Sequence, residues 1–325
     1  MRKVLFVSQL PMPRCENLKA VYDAYQGPKR FRQGAKSMET AELDGFDVVV
    51  CDCLPMPILF KRRCISINIG HAVSGMKLYG VDERKGNWSC PMPWINDEAL
   101  HQIDHAIASS EEMVPIVAGQ LDIPEERVHP TGLPRTDRYF EMRKSIPKMV
   151  EHTYLYLPTF RHLADGNLPR INWAYLDSLL SRNEQVLVKR HYFTSAPLVD
   201  TPCRHVFEEP AERPLDNLLK FCSAVVTDYS SVLFDAYLMG RPVVLLSDDS
   251  RTYLDKRGTY LRYPDGYSSR HLTAGWDEED LVNMLRSCTV DDPLGEVELE
   301  CLRKCAGACD GHSTERVVKL IESCV

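Results

Sequence analysis

The sharpest chemistry in the sequence lies in the run Ala224 to Val244. An apolar stretch leads into Asp228-Tyr229-Ser230-Ser231, a helical pattern carrying Phe234-Asp235 follows, and Gly240-Arg241-Pro242 stops that helix before the next apolar run. Ser230 and Ser231 therefore fall at a helix N-terminus, where free backbone N–H groups and the positive end of the dipole favour a phosphate or diphosphate. Ordinary N-capping uses the same placement. Asp235, one turn further in, is placed either to accept from ribose hydroxyls or to face solvent. A second candidate is His71, in Ile69-Gly70-His71-Ala72 after the apolar run Cys64 to Ile69. That order puts an imidazole at the carboxyl edge of a strand, where it can take a proton from a hydroxyl nucleophile, although a structural histidine would fit there too.

The elements that must position these residues read as strand then helix, repeated. Lys3 to Val7, Val48 to Cys51, Cys64 to Ile69 and Ala106 to Ala108 form one series of short apolar runs. Thr153 to Leu157, Gln185 to Lys189, Ala224 to Thr227 and Pro242 to Leu246 form a second. Such alternation predicts α/β architecture with parallel sheets, in two halves. The polar, Pro-containing stretch Met142 to Val150 separates the halves, giving domains of residues 1–146 and 147–325. The last segment, Ser313 to Ser323, carries Val317, Val318, Leu320 and Ile321 on one side and reads as an amphipathic helix capped by Ser313 or Thr314, with room to pack back on the first domain.

Composition narrows the function. The chain has 325 residues, 44% hydrophobic and 26% charged, enough apolar material for two ordinary cores. Its net charge of −7 argues against nucleic acid as a partner. The apolar run after Met1-Arg2-Lys3 ends at Ser8-Gln9, so no secretion signal is read, and no stretch of ~18 apolar residues appears. A cytoplasmic protein follows, with twelve cysteines read as mostly buried thiols. Cys301, Cys305 and Cys309 share a helical stripe, read as packing rather than a metal site, and His101 with His105 reads as a polar pair on a helix surface. Lys29-Arg30-Phe31-Arg32 and Lys61-Arg62-Arg63 are either solvated charged faces or peripheral contacts with anionic lipid on the inner face of the cell membrane.

The Asp-Tyr-Ser-Ser strand end with its Phe-Asp helix resembles the CDP-glycerol glycerophosphotransferase family, the teichoic-acid primases and polymerases. Further elements resemble the family in order: Thr131-Gly132-Leu133-Pro134-Arg135-Thr136-Asp137, Leu157-Pro158-Thr159-Phe160-Arg161, Lys189-Arg190-His191, Asp255-Lys256-Arg257-Gly258-Thr259-Tyr260, and Asp310-Gly311 before Ser313 to Arg316. They span residues 131–316, a little over half the chain, and six ordered motifs make chance agreement improbable. Where the family has a Trp-His-Gly turn, this sequence has Gly70-His71-Ala72, with Lys77 downstream.

The resemblance implies two Rossmann-like domains facing a cleft, the glycosyltransferase-B arrangement, with the donor in the C-terminal domain and the acceptor in the N-terminal one. It implies attack of an acceptor hydroxyl on the β-phosphorus of a CDP-activated polyol, glycerol phosphate before the alternatives, with release of CMP in cell-wall or capsule polymer synthesis. The acceptor is a lipid-linked or glycan hydroxyl. His71 and His191 would be the catalytic residues, His71 as base. Arg135, Thr159, Arg161, Lys189, Asp228, Ser230, Ser231, Asp235 and Arg257 would bind substrate. The sequence has no Asp-x-Asp metal motif, so no cofactor is called and a Mg2+ requirement stays open. Two rivals stand beside this reading. One is a nucleotide-sugar glycosyltransferase or epimerase of the same fold, distinguished by its donor; the other is a catalytically silent nucleotide-binding scaffold, distinguished by a lack of CMP release. A dinucleotide-dependent oxidoreductase is disfavoured, because no Gly-x-Gly-x-x-Gly follows Val4 to Val7.

Overall fold

The computed structural model describes residues 1–34, 45–52, 64–85, 103–146, 152–161, 168, 170–191, 194, 197–210, 212–288 and 294–324. The chain divides into two units, Met1–Arg138 with Arg303–Val325, and Tyr139–Leu302.

Unit 1 is built on strands β1 (Val4–Ser8), β2 (Lys29–Gln33), β3 (Val48–Cys51), β4 (Ile65–Asn68), β5 (His105–Ile107) and β6 (Val128–His129), in the order β2-β1-β3-β4-β5-β6. Every pairing among them is parallel. The continuous burial of β1 and β3 explains why both read as unbroken apolar runs, since a parallel sheet is covered on both faces. The basic run at Lys29 is a different matter. It forms β2, an edge strand registered on β1 from Val4↔Lys29 to Ser8↔Gln33, with only partial burial. An edge position tolerates charge because one side of the strand has no neighbour to pack against. Lys29 Nζ also donates to the carbonyls of Tyr22 and Tyr25 at 2.5 and 2.6 Å, at the C-terminus of the helix Glu16–Ala24, where a cation suits the dipole. The second basic cluster, Lys61 to Arg63, lies outside the described residues.

His105 is not on a helix surface: it opens β5, and its Nδ1 lies 3.1 Å from Nε2 of His129 on β6. Its expected partner His101 lies outside the described residues. Cys301, Cys305 and Cys309 are buried, and Cys309 Sγ accepts from the Leu133 amide at 3.4 Å.

The helix Ser313–Ser323 forms with the bounds expected and packs on the helix Glu16–Ala24. Its capping differs from expectation. Neither Ser313 nor Thr314 caps; instead the Asp137 carboxylate accepts their backbone N–H groups at 2.9 and 2.7 Å. Arg316 from the same helix donates to Asp310 and to the Thr131 carbonyl. Gly132, at φ +76°, sits where a Cβ would come within 2.3 Å of the Ala308 carbonyl, so only glycine permits this approach. The motif residues Asp137, Asp310 and Arg316 thus fasten the end of the chain to the Thr131–Asp137 loop.

Unit 2 is built on β7 (His152–Leu157), β8 (Glu184–Val188), β9 (Val206–Glu208), β10 (Ala224–Thr227), β11 (Val243–Leu246) and β12 (His271–Leu272), all parallel in the order β12-β11-β10-β7-β8-β9. Tyr154, Val186, Val226 and Leu246 from the sheet pack with Trp173, Leu176 and Leu281 from the helices. The first strand of the unit is central, and the order runs away from it in both directions. That is the Rossmann-like doubly wound pattern, whose reversal between β7 and β10 opens a crevice at the carboxyl ends of those strands.

Candidate active site

Three segments leave the carboxyl ends of β7, β10 and β8, adjacent strands at this reversal, and carry most of the expected residues of unit 2. Arg161, after β7, lies at the centre of a closed network. Its Nη2 donates to Asp228 Oδ2 at 2.8 Å, its Nε to Asp249 Oδ2 at 3.0 Å, and its Nη1 to the Thr159 carbonyl at 2.9 Å. The guanidinium also lies over the rings of Tyr229 and Tyr253, at 5.0 and 4.7 Å from their centroids. These two rings stack at 3.9 Å, and Tyr229 Oη donates to Asp249 at 2.9 Å. Burial opposes the Arg161 charge, but Asp228 and then Asp249 outweigh it and raise its pKa. Arg161 and Asp228 side chains are only 5% and 2% exposed, so the pair is an internal brace.

The brace fixes the loops around it. Asp228 Oδ1 accepts the backbone N–H of Thr159 at 2.9 Å and of Tyr229 at 2.7 Å, which sets the start of the Ser230-Ser231 segment against the β7 loop. Ser230 Oγ accepts from the Val232 amide at 3.3 Å, so capping of the helix Val232–Leu238 falls to Ser230. Ser231, the residue at the N-cap position, makes no side-chain capping bond. Both serines are half-buried. The Thr159 hydroxyl is buried and has no hydrogen-bond partner among the described residues. Asp235 is 2% exposed and does not face solvent.

His191, beyond β8, joins this group through Phe160, whose ring lies 5.8 Å from the imidazole. Lys189 Nζ donates to the Pro210 carbonyl at 3.2 Å, and burial lowers its pKa. Arg257 ends the helix Ser250–Arg257, which supplies Tyr253. Asp249 escaped the sequence reading. Its signal was its place just beyond β11, at the same carboxyl edge as the motifs.

In unit 1, His71 lies just past the end of β4. Asn68 Oδ1 accepts the Gly70 amide at 2.9 Å, an Asx-type turn, and Gly70 adopts φ +55°, which turns the chain sharply out of the sheet. Tyr79 meets the imidazole edge to face, with centroids 5.9 Å apart. Desolvation, then the positive charges of Arg135 and Lys77, lower the His71 pKa to about 4. The residue is nonetheless solvent-accessible. The imidazole is therefore neutral at pH 7 and open on one side to a reactant.

Arg135 lies in this unit, 7% exposed, with Nη1 3.5 Å from Glu16 Oε2. Glu16 Oε1 holds Arg138 at 2.8 Å. Asn17, the next residue of that helix, donates to the Ile69 and Gly70 carbonyls at 3.4 and 3.1 Å and accepts the Arg135 amide at 3.0 Å. Neither Glu16 nor Asn17 carries a local sequence signal.

Fold and site together define an α/β protein of two Rossmann-like units, one with the Arg161 network and the Ser230-Ser231 helix start at its strand edge and one with a neutral histidine at the corresponding edge. Residues 35–323 match the family CDP-glycerol:poly(glycerophosphate) glycerophosphotransferase, and the chain belongs to that family of teichoic-acid phosphotransferases. It is 24% identical over 287 residues to the teichoic acid ribitol-phosphate primase of Bacillus spizizenii, covering 83% of this chain and 72% of that protein. Identity is also 24% over 280 residues with the teichoic acid glycerol-phosphate primase of Bacillus subtilis, covering 82% and 71%. Among solved structures, the wall teichoic acid polymerase TagF superposes with a TM-score of 0.76 at 17% identity, over 99% of this chain and 88% of that one. This likeness establishes the shared fold. Among the described residues no helix is long and apolar enough to cross a membrane, and no cluster of three or more metal-ligating side chains occurs.

Proposed function

We propose that the chain transfers a phospho-polyol, glycerol phosphate in the first instance, from a CDP-activated donor to a lipid-linked or glycan hydroxyl, releasing CMP. The observation that carries this reading is the convergence of Thr159, His191 and Ser230-Ser231 on neighbouring strand ends at the reversal of the unit 2 sheet. The free Thr159 hydroxyl, the Ser231 side chain and the start of the helix are donors suited to a diphosphate. His191, Lys189 and Arg257 add positive or hydrogen-bonding groups, and the Asp235 carboxylate is an acceptor for the ribose hydroxyls. Arg161 and Asp228 act in this reading by holding the loops rather than by touching phosphate.

The acceptor side belongs to unit 1. Its hydroxyl oxygen attacks the β-phosphorus, the bond from that phosphorus to the bridging oxygen breaks, and CMP departs with the bonding pair. The hydroxyl proton passes to the neutral His71 imidazole. Arg135, beside the imidazole, then faces the acceptor or its phosphate. Peripheral attachment to the inner membrane face is part of the same reading, since a lipid-linked acceptor lies there.

The test is CMP release from a panel of CDP-glycerol, CDP-ribitol and UDP-sugars, with and without a crude lipid-linked acceptor extract. CDP-glycerol should give the fastest acceptor-dependent CMP release. Turnover only with a UDP-sugar would move the protein to the nucleotide-sugar enzymes of the same fold, and none at all would leave a silent nucleotide binder.

A further inference from the structure

Two consecutive residues of the helix Glu16–Ala24 reach both loops of the unit 1 site. Asn17 is 1% exposed, and all of its side-chain hydrogen-bonding atoms are used in one sense. The Nδ2 group donates to the Ile69 and Gly70 carbonyls, and Oδ1 accepts the Arg135 N–H. Turning the amide over would set its NH2 against an N–H and its oxygen against two carbonyls, so the surroundings fix its orientation. The Ile69 and Gly70 carbonyls belong to the turn that ends in His71. Asn68 pins that turn from its own strand, and Asn17 pins it from across the sheet edge. Meanwhile Glu16 holds the Arg135 guanidinium whose backbone Asn17 holds.

We propose that Asn17 is the positioning residue for His71: its buried carboxamide ties the turn carrying the imidazole to the Arg135 loop, and so fixes the imidazole relative to Arg135 and the acceptor. The proposal rests on the reading of His71 as the base. Asn17 touches neither substrate nor the reacting atoms in this account. It acts through the geometry of His71, where small displacements are costly to proton transfer. The charged and aromatic groups facing His71 are Arg135, Lys77 and Tyr79, and Asn17 contacts the backbone of the first.

The test is Asn17→Ala in the full chain. With CDP-glycerol and the crude acceptor, kcat should fall about tenfold to a hundredfold, while KM for CDP-glycerol stays within about threefold. In a His71→Ala background the same change should alter the residual kcat by less than about twofold, because groups acting as a unit are not additive. Equal losses in both backgrounds would overturn the proposal. A second reading comes from the His71 ring signals in NMR, identified by their absence in His71→Ala. Release of the turn should shift their titration toward the ordinary value; an unchanged titration overturns the proposal whatever the activity. If His71→Ala turns over at the parent rate, the base assignment has failed, and the titration alone then decides whether Asn17 positions the ring. Should Asn17→Ala not fold, Asn17→Asp keeps the acceptor for Arg135 but loses both donors. It should show the same loss in kcat and a raised His71 titration, and parent behaviour in both would overturn the proposal.

Discussion

The two units put their candidate residues at the same address, the carboxyl end of a parallel sheet, yet build different sites there. In unit 2 the central charges are paired with one another: Arg161 is enclosed by Asp228, Asp249 and two tyrosine rings, and around this brace stand hydroxyls, a helix start, His191 and Lys189. In unit 1 the candidate base His71 is left open, and the turn that carries it is held through backbone carbonyls and neutral amides. In the proposed reading the difference follows from what each would do. A site that binds a diphosphate gains from rigid, preorganised donors. A base must change its charge during the reaction, and a carboxylate held against it would oppose the return to neutrality.

Predictions that break or sharpen this contrast start with the brace. Asp228→Ala should destabilise the protein by about 3 kcal/mol, because it leaves two buried backbone donors unpaired and the buried Arg161 with Asp249 as its remaining carboxylate. Urea unfolding followed by tyrosine fluorescence measures this, and an unchanged midpoint would mean that the network does not hold the fold. Asp228→Asn, which keeps an acceptor, should cost less.

Next comes the base. His71→Ala should lower kcat by about 10²-fold or more and leave CDP affinity within a few-fold of the parent. Near-parental turnover with the true acceptor would move the base elsewhere and erase the functional side of the contrast. The pH profile should agree. Protonation disables a base, so rate is lost as pH falls through its pKa; since the His71 pKa of the free protein is lowered from 6.5 to about 4, the acidic limb of kcat/KM should begin below pH 6.5. A limb at or above that value, measured by CMP release over an acid series, would contradict the desolvated, cation-flanked imidazole.

The smallest effect belongs to the hydroxyls. Ser230→Ala with Ser231→Ala should weaken CDP binding by ~1 to 2 kcal/mol in calorimetry, since each hydroxyl contributes one hydrogen bond while the helix start persists. Thr159→Val should have a comparable cost without loss of stability, as its hydroxyl has no partner among the described residues to lose. Unchanged affinity in both would place the phosphates away from this edge.

Much of this architecture was legible in the sequence because the strands of a covered parallel sheet must be apolar throughout. Val48–Cys51 and Ala224–Thr227 match their runs residue for residue, and the helix Ser313–Ser323 follows from its period alone. The strand–turn–helix layout around Asp228 was legible too, since its parts are contiguous there. What tertiary structure decided were the pairings over long separations. β2 is a strand because β1 offers it an edge, not because Lys-Arg-Phe-Arg favours one, and β6, β9 and β12 are too short to leave a pattern. His105 finds His129 only through the adjacency of β5 and β6. Asp249 meets Arg161 across 88 residues, and Asn17 meets Arg135 across 118. Residue type and local spacing state what a side chain can do; which partner occupies its hydrogen bonds depends on how the sheet orders its strands, and that is written in no single stretch of the chain.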